Sequence, residues 1–285
     1  TVERSLDLVS PDKIRIVTIG SQVQVVRTAQ AELKLEKARI LEEPVGRNTA
    51  PAIGLAAFDI ISEDPEAVIA VFPSDHFISD RELFAGTIRE ACMAARQGWI
   101  VTLGISPTRP ETGYGYIRRG QPLVIQGTGR IYAAADFAEK PVLEKAREYA
   151  GSGEYYWNSG IFVFKAAHIL GKFRELLPSH YETLEKIQAL GNTRENKARY
   201  EELYTSMDKI SIDYGIMERS GNVAVIPADM GWSDVGSWKA LHEVLEKDSN
   251  GNVINGDAQA YNTCNSLMWS SGKLVAVVGC RDTAI

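Results

Sequence analysis

The sequence predicts an open α/β fold built on a mostly parallel sheet, followed by a small C-terminal β segment. Short apolar runs alternate with amphipathic helical stretches through most of the 285 residues, as in strands connected by helices. The runs at residues 67–72 and 99–104 are apolar on both faces, which is typical of central strands covered by helices. After residue 248, strand-like runs continue without a helix, which indicates a change of architecture.

The elements alternate regularly along the first hundred residues. Two predicted helices have clear N-caps, Asn48 (with Pro51 in the first turn that follows) and Asp80. The predicted strands here are 13–19, 38–41, 67–72 and 99–104, and the predicted helices are 23–36, one beginning at Asn48-Thr49 and one ending at Gly98.

Helices dominate the prediction for the rest of the first domain. They are expected at 143–150, 167–177, 179–190, 195–204 and 237–247, with a strand at 223–226. The turn-rich residues 248–252 then separate a first domain, 1–247, from a C-terminal β segment, 248–285. Short strands predicted at 253–254, 266–269 and 274–278 make this segment the expected start of a small β-helix-like annex.

Composition and charge exclude several classes of function. Hydrophobic residues make up 45% of the chain, charged residues 24%, and the formal net charge is −6. This acidic balance argues against a nucleic-acid partner, because nonspecific binding to nucleic acid needs a basic face. No apolar stretch approaches the ~20 residues that span a bilayer, so we expect no membrane partner.

The cysteines and histidines indicate neither a disulfide framework nor a zinc site. Cys92, Cys264 and Cys280 are widely separated and show no CxxC spacing. Free thiols in a reducing cytoplasm are the simplest interpretation, and we expect a cytoplasmic protein. The four histidines never stand at the spacing of zinc ligands.

Two aspartates follow predicted strands, where open α/β sheets bind their ligands. Asp75 comes after the strand at 67–72, and Asp234 comes after the strand at 223–226. Two such carboxylates can share one Mg²⁺, which proteins hold by one or two carboxylates together with substrate phosphates. Taken alone, the cap of a following helix or turn is the simpler interpretation of either aspartate.

Two glycine-containing segments also have a ligand-binding and a structural interpretation. In the segment 42–51, Arg47 and the N–H groups at the helix start could meet an anion, or the segment is simply a well-formed turn. The segment 112–116, TGYGY, lets the backbone approach a ligand closely because its glycines lack a Cβ. A tight hairpin explains the same segment equally well.

Three polar residues later in the chain are equally ambiguous. Glu139 and Lys140 stand together before a Pro-initiated helix, where a solvated pair of charges is the usual interpretation. Asn158 lies at the start of a buried, aromatic-rich strand and is either a turn residue or a contact to a sugar hydroxyl. No single motif among these decides the function.

Seven segments, taken together and in order, carry a family resemblance. They are EEPVGRNTAPAIGLAA, VFPSDHFI, TGYGYIRRG, FAEKP, YYWNSGIFVF, SIDYGIMERS and GWSDVGSW. In this order they resemble the bacterial mannose-1-phosphate guanylyltransferases, which are sugar nucleotidyltransferases. The resemblance runs from about residue 10 to about residue 280, and GRNTAP and WSDVGSW are its most specific parts. It implies a Rossmann-like nucleotidyltransferase domain with a mixed, mostly parallel sheet.

The resemblance also implies a reaction. GTP and α-D-mannose 1-phosphate would give GDP-mannose and pyrophosphate, with Mg²⁺ as cofactor, by in-line attack of the sugar phosphate on the α-phosphorus of GTP. Such a reaction asks the protein mainly for alignment and charge neutralisation. The expected assembly is a homodimer.

Residues that match the family's motifs take on the corresponding roles. The catalytic set would be Asp75, Asp234 and Lys140, of which the two aspartates hold the metal and the lysine meets the sugar phosphate. The nucleotide would be bound by Glu43, Arg47, Asn48 and Thr49, with Glu43 at the base edge. The mannose hydroxyls would be bound by Gly115, Glu139 and Asn158.

One part of the family pattern does not occur in the sequence. The family begins with a strand and a glycine-rich loop of the form GGxGTRxWPxS, followed by a lysine, and this loop cradles the triphosphate. We therefore expect roughly 30 further residues before Thr1, an estimate from one strand, one loop and a helix start.

Two alternatives to the guanylyltransferase stay open. One is the same scaffold with another nucleotide and sugar 1-phosphate, as in glucose-1-phosphate thymidylyl- or uridylyltransferases. The other is a non-catalytic regulatory subunit, which the missing loop would favour only if the natural protein also lacks it. The presence of both Asp75 and Asp234 favours an enzyme, because a regulatory subunit has no need of a metal pair.

Overall fold

The computed structural model describes residues 1–191 and 195–285. Its helices are α1 (Val2–Ser5), α2 (Val23–Glu32), α3 (Thr49–Glu63), α4 (Arg81–Arg96), α5 (Leu143–Ser152), α6 (Ala166–Leu176), α7 (Pro178–Leu190), α8 (Lys197–Ser206), α9 (Ile212–Gly215) and α10 (Trp238–Val244). Its strands are β1 (Arg15–Ile19), β2 (Arg39–Glu43), β3 (Val68–Val71), β4 (Phe77–Ile78), β5 (Ile100–Ile105), β6 (Gly115–Pro122), β7 (Tyr132–Glu139), β8 (Tyr155–Lys165), β9 (Val223–Pro227), β10 (Trp232–Ser233), β11 (Val253–Asn255), β12 (Ala258–Tyr261), β13 (Leu267–Trp269) and β14 (Val275–Val278). Within these residues, no helix has the length and apolar character needed to cross a membrane.

The described chain divides into two compact units. The first comprises Thr1–Pro73 and Asp80–Met230, and the second comprises Ser74–Ser79 and Gly231–Ile285. The predicted boundary after residue 247 therefore falls inside the second unit. The reason is an antiparallel ribbon in which β10 pairs with β4, with Ser233 opposite Phe77. This ribbon joins a short segment from the first half of the chain to the C-terminal residues.

A six-stranded mixed sheet, in the order β3-β8-β5-β9-β7-β6, organises the first unit. In this sheet β3, β5, β9 and β6 run in one direction, and β8 and β7 run in the other. The mixed sheet is as predicted, but its pairings are less parallel than the sequence suggests, since only β5 and β9 pair in parallel among these six described strands. The cause is β8, which runs antiparallel between β3 and β5 and separates two strands that share a direction.

The strand β8 is 11 residues long and pairs with three others. A bulge interrupts its pairing with β5, because Thr102 lies opposite Phe162 whereas Gly104 lies opposite Asn158. Three residues of β8 therefore face a single residue of β5, which bends the strand locally. Gly160, inside the bulge, has a φ of +68°, which a residue without a Cβ adopts at little cost.

The main core of the first unit packs helices α3, α6 and α7 against the sheet. Phe164 of β8, Phe173 of α6 and Leu184 of α7 are buried in it. A Cβ on Gly54 of α3 would lie 2.5 Å from Leu184 Cδ1, so the glycine lets α3 and α7 approach closely. Removal of this apolar surface from water is the main driving force for the packing.

The strands β1 and β2 form a separate parallel pair in the first unit, with Arg15 opposite Arg39. Repulsion between the two guanidinium groups is offset by α3, because Asp59 accepts from both arginines at 2.6 Å. Glu63 adds a contact of 2.7 Å to Arg39. Within the described residues this pair is not hydrogen-bonded to the six-stranded sheet. The expected N-terminal strand stays a prediction.

Short parallel pairings organise the C-terminal part of the second unit. Val253 of β11 lies opposite Leu267 of β13, and Ala258 of β12 lies opposite Val275 of β14. Isolated parallel bridges between residues 264 and 281 and between residues 267 and 284 continue the pattern. Short parallel pairing therefore recurs along this part of the chain, and the β-helix-like annex stays a prediction.

We predict that Leu184→Ala lowers the free energy of unfolding by about 2–5 kcal/mol, because the truncated side chain leaves a cavity that Gly54 cannot fill. Leu184 is 1% exposed. Leu143 is 45% exposed on α5, so Leu143→Ala is a matched control expected to change stability by about 0.5 kcal/mol or less. Urea unfolding followed by tryptophan fluorescence measures both. Equal losses in the two variants would contradict the assignment of the core.

Candidate functional site

Gly115, Glu139 and Asn158, the three residues expected to bind a sugar, come together in the first unit. Gly115 opens β6 and lies opposite Glu139, the last residue of β7. A Cβ on Gly115 would lie 2.4 Å from Glu139 Oε2 and 3.2 Å from Asn158 Cβ. The glycine therefore leaves room for the Glu139 carboxylate beside Asn158.

The Glu139 carboxylate is largely buried, with 9% of its side chain exposed. Its Oε1 accepts a hydrogen bond of 2.6 Å from Lys140 Nζ. Its Oε2 is buried and has no hydrogen-bond partner among the residues that the structure describes. A buried acceptor without a donor costs about 1–3 kcal/mol, so a hydroxyl donated to Oε2 would bind favourably.

Lys140 provides an exposed cation beside this carboxylate. Its side chain is 57% exposed, and its backbone N–H donates to the Tyr114 carbonyl at 3.2 Å. Its φ of +50° is uncommon for a residue with a side chain. The hydrogen bond to Glu139 raises the pKa of Lys140 above its ordinary value, so the ammonium group stays charged at neutral pH. An anionic group of a ligand could therefore bind here.

Asn158 is a strand residue beside the β8 bulge, and its amide is held at both ends. Its Oδ1 accepts from Thr102 Oγ1 at 3.0 Å and from the Gly160 N–H at 3.2 Å. Its Nδ2 donates to Asp213 Oδ1 at 2.8 Å. Because the Gly160 N–H can only donate, this network sets which end of the amide is the oxygen.

Asp213 belongs to this cluster, but sequence reasoning gave it no role. It lies in α9, whose N-cap Ser211 accepts from the Tyr214 N–H. Burial, followed by the nearby charge of Glu139, raises the pKa of Asp213 to about 6, against the opposing effects of the Asn158 hydrogen bond and the Lys140 charge. The available signal was an acidic residue inside the otherwise largely apolar stretch 210–217, within the segment SIDYGIMERS.

Glu43, the residue expected at the base edge, ends β2 and is 8% exposed. Its Oε1 accepts a hydrogen bond of 2.5 Å from Tyr204 Oη on α8. Burial raises the pKa of Glu43, and hydrogen bonds from Tyr204 and from the Arg47 backbone oppose that shift. The carboxyl group is thus anchored within the first unit.

Two of the other residues expected at the nucleotide connect the start of α3 to α8 and to the first residue of α9. Arg47 donates to the Thr205 carbonyl, and Thr49 Oγ1 accepts from the Ile212 N–H at 2.8 Å. Asn48 is the N-cap of α3, and its Oδ1 accepts from the Thr49 N–H at 2.9 Å. Since Ile212 directly precedes Asp213 in the chain, one backbone segment joins this group to the cluster of Gly115, Glu139, Asn158 and Asp213.

Asp75 and Asp234 both lie in the second unit, at the same end of the β4–β10 ribbon. Asp234 follows β10 directly, and Asp75 precedes β4 with one residue between. Because Ser233 pairs with Phe77 in an antiparallel register, the two aspartates lie just beyond the same pair of residues. The sequence predicted that the two aspartates follow two separate strands. The structure places both of them beside one short ribbon.

Asp75 and Asp234 each offer a carboxylate, the type of ligand that a hard divalent cation prefers. Trp232 Nε1 donates to His76 Nδ1 at 3.0 Å, and this bond braces the ribbon next to both aspartates. Among residues 1–191 and 195–285, no three His, Cys, Asp or Glu side chains gather as a metal site. Mg²⁺ needs only one or two protein carboxylates when substrate phosphates and water complete its shell.

Comparisons of sequence identify relatives of this chain. The family model "Nucleotidyl transferase" matches residues 2–251. A putative mannose-1-phosphate guanylyltransferase of Vibrio cholerae is 45% identical over 251 residues, which cover 88% of this chain and 53% of that protein. The mannose-1-phosphate guanylyltransferase of Escherichia coli K12 is 41% identical over 249 residues, which cover 86% of this chain and 52% of that protein. The chain thus spans about half the length of the curated relatives it matches.

Solved structures with the same fold confirm the Rossmann-like α/β class with a mixed sheet. A structure titled mannose-1-phosphate geranyltransferase from Thermus thermophilus superposes with a TM-score of 0.86 at 36% identity, covering 100% of this chain and 80% of that one. A structure titled mannose-6-phosphate isomerase from Helicobacter pylori gives a TM-score of 0.67 at 28% identity, covering 81% and 87%. With its family match over most of its length, this chain belongs to the nucleotidyl transferase family.

Proposed function

We propose that the protein carrying this chain transfers the GMP group of GTP to α-D-mannose 1-phosphate, giving GDP-mannose and pyrophosphate. The observation that carries this proposal is the cluster of Glu139, Lys140 and Asn158. It offers an acceptor and a donor for sugar hydroxyls beside a cation for the sugar phosphate. The names of two relatives at 45% and 41% identity support the same substrates.

In the proposed reaction a phosphate oxygen of the sugar attacks the α-phosphorus of GTP. One P–O bond forms there as the bond to the β-phosphate bridging oxygen breaks, and pyrophosphate leaves. Glu139 and Asn158 orient the sugar, and Lys140 holds its phosphate. The nucleophile is already ionised, so the protein supplies alignment and charge neutralisation and forms no covalent intermediate.

Asp75 and Asp234 would hold Mg²⁺ in this proposal. When bound, the ion would offset the mutual repulsion of the triphosphate, the sugar phosphate and the two carboxylates. Both aspartates flank a short ribbon whose paired residues, Phe77 and Ser233, hold the neighbouring backbone.

We also propose a cytoplasmic protein without a nucleic-acid or membrane partner. Cys92, Cys264 and Cys280 are free thiols, in keeping with a reducing compartment, and the net charge of −6 disfavours nucleic acid. The homodimer expected from the resemblance stays a prediction.

Titration of the full-length protein with GTP, ATP, UTP and dTTP in the presence of Mg²⁺ tests the proposal. We expect clear preference for GTP, and GDP-mannose as product once mannose 1-phosphate is added. A preference for UTP or dTTP would support the alternative substrate pair. Binding without turnover of any pair would support a non-catalytic subunit.

Replacement of Glu43 by Gln tests its role at the base. Guanine presents donors at N1 and N2, whereas adenine presents a lone pair at N1, so a carboxylate accepts from guanine and repels adenine. Sites built on such hydrogen bonds reject analogues by about 10⁴–10⁵. The glutamine of Glu43→Gln can still accept a hydrogen bond from Tyr204. We nevertheless expect calorimetry to show weaker GTP binding and a smaller difference in affinity between GTP and ATP. Unchanged discrimination in Glu43→Gln would move the role to Glu42 or to the backbone, and Glu42→Gln measured in parallel separates these two.

Substitution of the aspartate pair tests the metal site. We expect Asp75→Asn and Asp234→Asn each to lower kcat/KM by roughly 10²–10⁴, about 3–5 kcal/mol of transition-state stabilisation. The double variant should lose little more than the worse single variant, because both act through one ion. Pyrophosphate release at saturating Mg²⁺ measures all three, and the exposed Asp257→Asn of the same unit is the control. Near-normal turnover in either single variant, or full additivity, would contradict a shared ion.

A further inference from the structure

The Asn158 amide has one hydrogen-bonding group left for a ligand. Its oxygen accepts from Thr102 and Gly160, which fills both lone pairs. One of the two Nδ2 hydrogens is donated to Asp213. The remaining Nδ2 hydrogen is therefore what Asn158 can offer, so it acts as a donor and not as an acceptor.

The unpartnered acceptor of Glu139 lies near the Asn158 side chain. Both side chains border the position that a Cβ on Gly115 would fill, at 2.4 Å for Glu139 Oε2 and 3.2 Å for Asn158 Cβ. A hydroxyl can both donate and accept a hydrogen bond. Alternatively, one hydroxyl of a sugar ring can donate to the acceptor while its neighbour accepts from the donor. A donor and an acceptor on two neighbouring side chains therefore suit one hydroxyl or two adjacent hydroxyls.

Asp213 anchors the nitrogen end of this amide. It is the partner that fixes Nδ2, while Thr102 and Gly160 hold only the oxygen end. Rotation of a terminal amide has broad energy wells, so an anchor at one end alone leaves its plane poorly defined. An anchor at each end fixes the direction of the remaining N–H.

The chemical identity of Asp213 also indicates a role beyond packing. Its carboxyl group is buried close to a second carboxyl group, Glu139, and both burial and that charge act against ionisation. A neutral side chain would fill the same space without this cost. What a carboxylate adds is a charge-assisted hydrogen bond to the amide, which is stronger than a neutral one.

We propose that Asp213 is a positioning residue, which fixes the Asn158 amide so that its remaining N–H, together with Glu139 Oε2, recognises hydroxyl groups of the sugar 1-phosphate. This inference rests on the proposed function, because it assumes that the cluster binds the sugar. Asp213 acts on the substrate only through Asn158. It thereby contributes to the choice of sugar and leaves the nucleotide unaffected.

The test is steady-state kinetics of the full-length protein with GTP and mannose 1-phosphate, compared with the 2-, 3-, 4- and 6-deoxy analogues. For Asp213→Ala we expect KM for mannose 1-phosphate to rise roughly 10- to 100-fold, the range for loss of a charge-assisted hydrogen bond. KM for GTP should change by about twofold or less. In the wild type, one deoxy analogue should raise KM over that of mannose 1-phosphate more than the others do. In Asp213→Ala this analogue should no longer raise KM, while the other analogues should raise it as they do in the wild type.

Two further variants separate positioning from structural support. Asp213→Asn keeps a neutral acceptor for Asn158 Nδ2 and should recover part of the affinity for mannose 1-phosphate. Asp208→Ala is the matched control, because Asp208 is an exposed aspartate outside the cluster. GTP binding by calorimetry reports folding. If Asp213→Ala does not fold, Asp213→Ser replaces it with the same expected result, since its hydroxyl is too short for the 2.8 Å contact.

The outcomes distinguish this inference from the proposed function. Wild-type protein that makes no GDP-mannose would refute the proposed function, and the inference with it. Active wild type with an unchanged KM for mannose 1-phosphate in Asp213→Ala would overturn the inference alone. Equal effects on both substrates, equal effects on every deoxy analogue, or no recovery in Asp213→Asn would show a structural role and also overturn it.

Discussion

The bulged strand β8 is the constraint on which both the central sheet and the cluster of Glu139, Asn158 and Asp213 depend. Its pairing with β3, β5 and β6 fixes its register, because a slip of one residue would turn every side chain to the opposite face. The bulge shifts the pairing of β8 with β5 next to Asn158. The Asn158 side chain is hydrogen-bonded there to Thr102 and Asp213. One local irregularity thus connects the packing of the sheet to the placement of a polar side chain.

Much of the fold could be predicted from sequence, since caps and apolar spacing are local signals. Asn48 and Asp80 cap α3 and α4 as expected. The strands β6 and β7 were not predicted, because exposed charges such as Arg118, Arg119 and Asp136 interrupt any apolar alternation. The antiparallel position of β8 between β3 and β5 was also not predicted. The apolar pattern of a strand indicates whether the strand is buried, but not the direction of the strands next to it.

The candidate site was predictable where a residue type carries its chemistry in a recognisable motif. Gly115, Glu139 and Asn158 lie together, and the sugar-binding role that the resemblance implied for them stays a prediction. Asp213 was missed because its significance lies in a long-range hydrogen bond, across 55 residues of sequence, which no local pattern reveals. Burial and the charge of Glu139 both act on its carboxyl group, so its properties belong to the assembled cluster.

A crystal structure of the full-length protein with GDP-mannose tests most directly the claim that this cluster binds the sugar. In that complex we expect mannose hydroxyls about 3 Å from Glu139 Oε2 and Asn158 Nδ2, and we expect the Asn158–Asp213 hydrogen bond to be retained. A mannose ring bound elsewhere, with Glu139 Oε2 still lacking a donor, would contradict it.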